Sequence, residues 1–210
     1  MAKLKRPSNK DLEKTIDTTI DWFFEHDDNE IKKYVSKLRE QNEGISDEDL
    51  AKKIVRRKSY KNGLIGAATG IPGFLALPVT VPADIIASWK IQINMAICIA
   101  HAFGHDNETT DLKTDVYIII AGDAAKEALK RFGIEVSKAI TKKAVDRYVT
   151  REAMKQIWKV VGRKIITKAG EKSIMSFTKL IPLVGAPVGF AFDWAAAQIV
   201  GKHAVNYYKG

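Results

Sequence analysis

Apolar positions along this chain recur at three and four residues rather than two, which is the spacing of a helix face packed on a core and not of a strand. In the first third the helices are short and charged. Asp27 and Asp28 open one that carries Ile31, Tyr34, Val35 and Leu38. Ser46, with Asp47, Glu48 and Asp49, opens another that carries Leu50, Ile54 and Val55 toward Tyr60. A hydroxyl followed by acids accepts free N–H groups and complements the helix dipole. Lys52, Lys53, Arg56, Arg57 and Lys58 load the later turns of this second helix with positive charge.

At Asn62-Gly63 the pattern changes. No charged residue falls between Gly63 and Ala83, and Gly63, Gly66, Gly70 and Gly73 follow at intervals of three, four and three. On a helix such a row lets a second backbone approach closely. Pro72, Pro78 and Pro82 exclude one straight membrane-spanning helix, so a broken helix, a turn and a new helix are expected. The new helix starts at Pro82 and ends at Gly104. It is expected to bury Ile85, Ile86, Trp89, Ile93, Ala96, Ala100 and Phe103 and to present Lys90, Asn94 and His101 on a polar side. Beyond Thr109 the β-branched run from Val116 to Ile120 is read as buried helix, because its neighbours are helical.

The last segment repeats the grammar: Pro182, Gly185, Pro187 and Gly189 precede an apolar helix from Phe190 to Tyr207 that contains Asp193 and Trp194. The expected fold is all-α, a single multi-helix domain of roughly eight to ten helices. Charged N-terminal helices over 1–62 pack on a helical core over 63–210, with two central Gly/Pro-broken apolar hairpins.

Composition changes this picture little, and charge changes it more. At 46% hydrophobic and 28% charged, the chain has enough apolar material for a core and is not disordered. Cys98 is the single cysteine, which excludes an internal disulfide framework and fits a reducing compartment. The start, MAKLKRPSNKDLEK, has no apolar leader, so a cytoplasmic location is expected, peripheral on the inner face of the membrane. The net charge is +9, and residues 113–175 hold fifteen cations against seven anions, a surplus of eight. Within them Lys143, Arg147, Arg151, Lys155, Lys159 and Arg163 recur every four residues, with only Asp146 and Glu152 as acids between Glu135 and Glu171. Such a ladder is the expected site for lipid or another anion, although charged rows also solvate ordinary helices. Nucleic acid ranks below the membrane as a partner, for want of a helix-turn-helix or an aromatic RNA platform.

No catalytic residue, metal site or cofactor is assigned. His101 and His105 have HxxxH spacing, but Gly104 is expected to end the helix between them, and histidine at a helix C-terminus is favourable in its own right. Cys98 lacks an activating acid–base pair and reads as a small buried hydrophobe. The glycine-rich block lacks the Lys-Ser/Thr ending of a phosphate loop. Asp84 either orients a ligand headgroup or caps the first turn of its helix, and the capping role is favoured.

The blocks Gly66-Ala67-Ala68-Thr69-Gly70-Ile71-Pro72-Gly73, Leu77-Pro78, Pro82-Ala83-Asp84-Ile85, Phe103-Gly104-His105-Asp106 and Ile181-Pro182-Leu183-Val184-Gly185-Ala186 resemble the EcsC family of bacterial proteins, over residues ~60 to ~208 by the order of the motifs. The resemblance implies a helical, cytoplasmic or peripherally membrane-associated protein linked to transport, secretion or envelope functions, and it supplies no catalytic residues. The expected function is non-enzymatic, peripheral membrane association that binds anionic lipid or an acyl ligand, with a transporter or other acidic protein as a further partner. The alternatives are a soluble adaptor that binds an acidic protein through its basic face and, more weakly, a colicin-like membrane-inserting effector.

Overall fold

The computed structural model describes residues 28–69, 83–105, 109–122, 125, 126, 129, 130, 140–148 and 185–210. Six helices are bounded among them and no strand occurs: α1 (Asp28–Glu40), α2 (Asp47–Thr69), α3 (Ala83–Ala102), α4 (Thr109–Ala121), α5 (Lys142–Tyr148) and α6 (Gly185–Lys209). The protein is all-α in one domain.

The charged helices begin and end on the expected local chemistry. Ser46 Oγ accepts the Asp49 N–H at 3.1 Å, which caps the start of α2, and donates to the Asp49 carboxylate at 2.7 Å. Gly104 ends α3 at φ +76°, with its N–H on the His101 carbonyl and the His105 N–H on the Ala100 carbonyl, which is a Schellman stop. Arg39 ties three ends together: its guanidinium donates to Asp47 at 2.8 Å and to the Ala102 carbonyl at 2.9 Å.

Helix α2 runs through the change of composition at Asn62-Gly63 to Thr69, and the prolines expected to break it lie outside the described residues. Each glycine inside a helix costs about 1 kcal/mol of propensity relative to alanine, and here packing offsets it. A Cβ on Gly63 would stand 2.7 Å from the Phe190 ring, and one on Gly66 would collide with the Gly189 carbonyl and sit 2.6 Å from Asp193 Oδ2. The α6 backbone fills the room the two missing side chains leave. Helix α3 differs from the sequence expectation in not being amphipathic: every residue from Ile91 to Ala102 is buried except Asn94 and His101, which are half-buried. Asn94 receives Lys58 Nζ from α2 at 2.5 Å, and His101 Nε2 lies 3.2 Å from Asp28 Oδ1 of α1. The polar residues of α3 therefore mark where α1 and α2 cover it.

Helix α2 runs antiparallel to both α3 and α6. Lys58 meets Asn94 and Arg39, beside Asp47, meets Ala102. Against α6, Gly66 meets Gly189, Val55 meets Gly201, and Lys209 Nζ pairs with Glu48 at 2.7 Å. The core cluster combines Leu50 and Ile54 of α2, Met95 to Ala100 of α3, Val116 to Ile119 of α4 and Ala197, Val200 and Ala204 of α6. The β-branched run of α4 is buried helix, as its neighbours implied.

Gly66→Val places branched carbons inside the α6 backbone and is expected to lower unfolding stability by roughly 3 kcal/mol or more, the upper range of overpacking costs. Leu64→Ala, at an exposed position two residues away, is expected to stay within about 0.5 kcal/mol of the parent. Urea denaturation of the two variants checks both values.

Candidate functional site

The antiparallel arrangement brings the described parts of the uncharged segments to one end of the bundle. Thr69 closes α2, Ala83 opens α3 and Gly185 opens α6 at that end, while the acids Asp47, Glu48 and Asp49 of α2 lie at the other, beside Lys209. At the uncharged end the outer face of α6 is apolar and exposed: Pro187, Ala191, Phe192, Trp194, Ala195 and Ile199. Phe192, Trp194 and Ile199 are 55%, 41% and 58% accessible, far above the values of core side chains. On the neighbouring α2, Tyr60 and Leu64 are also exposed, and the Tyr60 ring meets Phe190 edge-on at 5.7 Å. Isolated apolar residues on a surface are ordinary, but a contiguous set on one helix face marks an interaction surface.

The opposite face of the same helix is committed to the core. Gly189 lies against the Gly66 carbonyl, and Asp193, the only acid in α6, is 3% exposed. Asn62 Nδ2 donates to the Asp193 carbonyl at 2.7 Å inside the interface. Of the glycines, prolines and neighbours expected to form the hairpins, the structure thus joins Gly66, Gly189 and Asp193. It sets Trp194 outward and Trp89 half-buried against the core, and it places Gly185 and Asp84 in the first turns of α6 and α3. Gly70, Pro72, Gly73, Pro78, Pro82 and Pro182 lie outside the described residues. Of the cation ladder, Lys143 and Arg147 are exposed on α5, while Arg151, Lys155, Lys159 and Arg163 lie outside the described residues.

The strongest ionisable cluster among the described residues is not marked by any motif or spacing in the sequence. Asp115, 1% exposed in α4, accepts the Tyr207 hydroxyl at 2.6 Å and the Tyr208 hydroxyl at 3.2 Å, and its carboxylate lies 3.3 Å from Lys142 Nζ. Lys142 also reaches Asp146 at 3.0 Å. Burial works against the charge on Lys142, but Asp115 and Asp146 outweigh it and hold the ammonium above its ordinary value. Burial, then the neighbouring Asp115 carboxylate, pushes both tyrosine hydroxyls far above the usual phenol range. Its three donors commit the Asp115 carboxylate to joining α4, α5 and α6.

The remaining chemical candidates are packed. His101 faces Asp28, and His105 packs its ring on Tyr208 at 5.1 Å, so the two imidazoles serve different partners. Cys98 is fully buried, and burial pushes its thiol up to about 11. No group of three or more His, Cys, Asp or Glu able to hold a metal occurs among the described residues. Nor is any described helix long and apolar enough to cross a membrane.

Lys142, Tyr207 and Tyr208 all have folded-state values raised above their unfolded ones. Their stabilisation is therefore complete below about pH 10 and is lost as pH rises beyond it. Spectrophotometric titration is expected to show Tyr207 and Tyr208 ionising only with unfolding. Asp115→Ala, which strips a buried lysine and two hydroxyls of their acceptor, is expected to cost about 3–5 kcal/mol by denaturant titration.

No curated protein and no solved structure matches this chain. The model of the EcsC protein family matches residues 4–210, nearly the whole length, including both glycine blocks that meet at the Gly66–Gly189 crossing. This chain belongs to the EcsC protein family.

Proposed function

We propose that this protein acts without catalysis, by binding peripherally to an anionic membrane surface or an acyl ligand in support of a transport or envelope system. The observation that carries this is the segregation of charge along the bundle. One end offers exposed Phe192, Trp194 and Ile199, with Lys202 as the exposed charge described on the same face of α6, in a chain whose net charge is +9. Amphipathic surfaces of this kind lie in the headgroup region, where apolar side chains supply retention and cations supply attraction worth on the order of 1 kcal/mol each. The absence of a crossing helix among the described residues fits binding on the membrane rather than through it. Among the described residues the Asp115 cluster is buried and serves the fold.

Vesicle flotation tests this reading. The protein is expected to float with vesicles that contain phosphatidylglycerol, less so as salt rises because surface charge is screened, and weakly with neutral ones. Arg147→Glu/Arg151→Glu is expected to lower the anionic-vesicle fraction if the ladder assists approach. Failure to float under any condition excludes membrane binding and favours an acidic protein as the partner of exposed Lys143 and Arg147.

A further inference from the structure

The geometry points to the outer face of α6, edged by Tyr60 and Leu64 of α2, as the surface that enters an anionic bilayer, with α6 lying along the headgroup–acyl boundary. This inference rests on the membrane reading above and names the face that performs it, which is distinct from the Lys143–Arg163 ladder.

Three observations support it. The first is charge complementarity. Helix α2 carries no acid after Asp49, and the sole acid of α6, Asp193, is turned into the core. The charged side chains nearest the apolar face in sequence are cations: exposed Arg56, Arg57 and Lys61 beside Tyr60 and Leu64, and exposed Lys202 three residues after Ile199. Aromatic side chains with a cationic collar match the boundary between acyl chains and anionic headgroups. A second copy of this chain fits less well, because a two-fold pairing through this face sets the two cationic collars against each other. The second is length. From Pro187 to Ile199 the apolar face covers about 18 Å at 1.5 Å per residue, too short for a hydrocarbon core of about 30 Å, so the helix lies in the plane of the interface. The third is that the inner face of α6 is already packed through Gly189, Asp193 and Gly201. Phe192, Trp194 and Ile199 therefore sit on the outward side of α6, each more than one-third exposed.

The test uses the full chain carrying an NBD fluorophore on Ile199→Cys or, separately, on Lys143→Cys. Cys98 is buried, so its thiol stays out of reach of the label. Phosphatidylglycerol-containing vesicles are expected to brighten and blue-shift the probe at position 199, with quenching by doxyl lipids, and to leave the probe at 143 unchanged. Phe192→Ser/Trp194→Ser is expected to weaken vesicle binding roughly tenfold or more, given the apolar area removed, with an unchanged far-UV circular dichroism spectrum. Arg56→Glu/Lys61→Glu is expected to remove much of the salt-sensitive part.

Flotation with a silent probe at 199, equal brightening at 143, or full binding by the Phe192→Ser/Trp194→Ser variant overturns this face and leaves peripheral binding standing. No flotation by the unsubstituted protein overturns both. A dimer in sedimentation that the same double substitution dissociates, without flotation, assigns the face to a second copy and overturns the proposal.

Discussion

The contact on which the rest of the structure depends is the crossing of two backbones at Gly66 and Gly189. With no Cβ on either residue, α2 and α6 approach until the carbonyl of each occupies the place where the other's side chain would be. That closeness fixes the rotation of α6. Asp193 turns inward beneath Gly66, Asn62 reaches its carbonyl, and Phe190 lies on Gly63. Once those residues are inside, helical geometry puts Phe192, Ala195 and Ile199 outside. The exposed apolar face is a consequence of the crossing and not a leftover of poor packing.

The bundle is polar along its length. At the charged end, Glu48 pairs with Lys209 and Lys52, which hold its carboxyl down at about 2, and Arg39 joins α1 to the end of α3 and the start of α2. Asp115, Lys142, Tyr207 and Tyr208 bind the C-terminal turns of α6 to α4 and α5 at the same end. A buried ion pair of this kind adds little net stability over apolar packing, yet it leaves few alternative partners and so specifies one arrangement. Among the described residues the other end carries no comparable network. Close glycine packing joins α2 and α6 there, and the outward face of α6 is largely apolar.

Much of this was legible in the residues and some was not. Helix starts and stops followed from local chemistry, as at Ser46 with Asp49 and at Gly104. The glycine spacing foretold a close backbone approach but not its partner, because a stripe of small residues does not name the helix that will fill it. The end of charge at Lys61 marks where a solvated helix passes into a packed one without interruption. Lys90, Asn94 and His101 suggested a wet side for α3, because a sequence pattern does not show that Lys58 and Asp28 will cover it. Asp115 was passed over inside an apolar run, although an acid among Val116, Tyr117 and Ile118 was itself a signal that buried donors had to exist elsewhere. Its partners lie 27 to 93 residues away. The cation ladder stood out because it is periodic, while the outer face of α6 did not, because its significance rests on which side the glycine crossing covers.

Membership of the EcsC protein family spans both glycine blocks and therefore both sides of the crossing. On the membrane reading proposed above, the crossing presents one defined face of α6 to the bilayer. A nitroxide scan of positions 187–202, leaving out Gly189 and Gly201 where any side chain collides with α2, tests this by oxygen accessibility with and without phosphatidylglycerol vesicles. Accessibility is expected to rise on vesicle addition with a helical period, highest at 191, 192, 195 and 199 and unchanged at 193 and 197. A uniform response, or maxima at 193 and 197, contradicts that face.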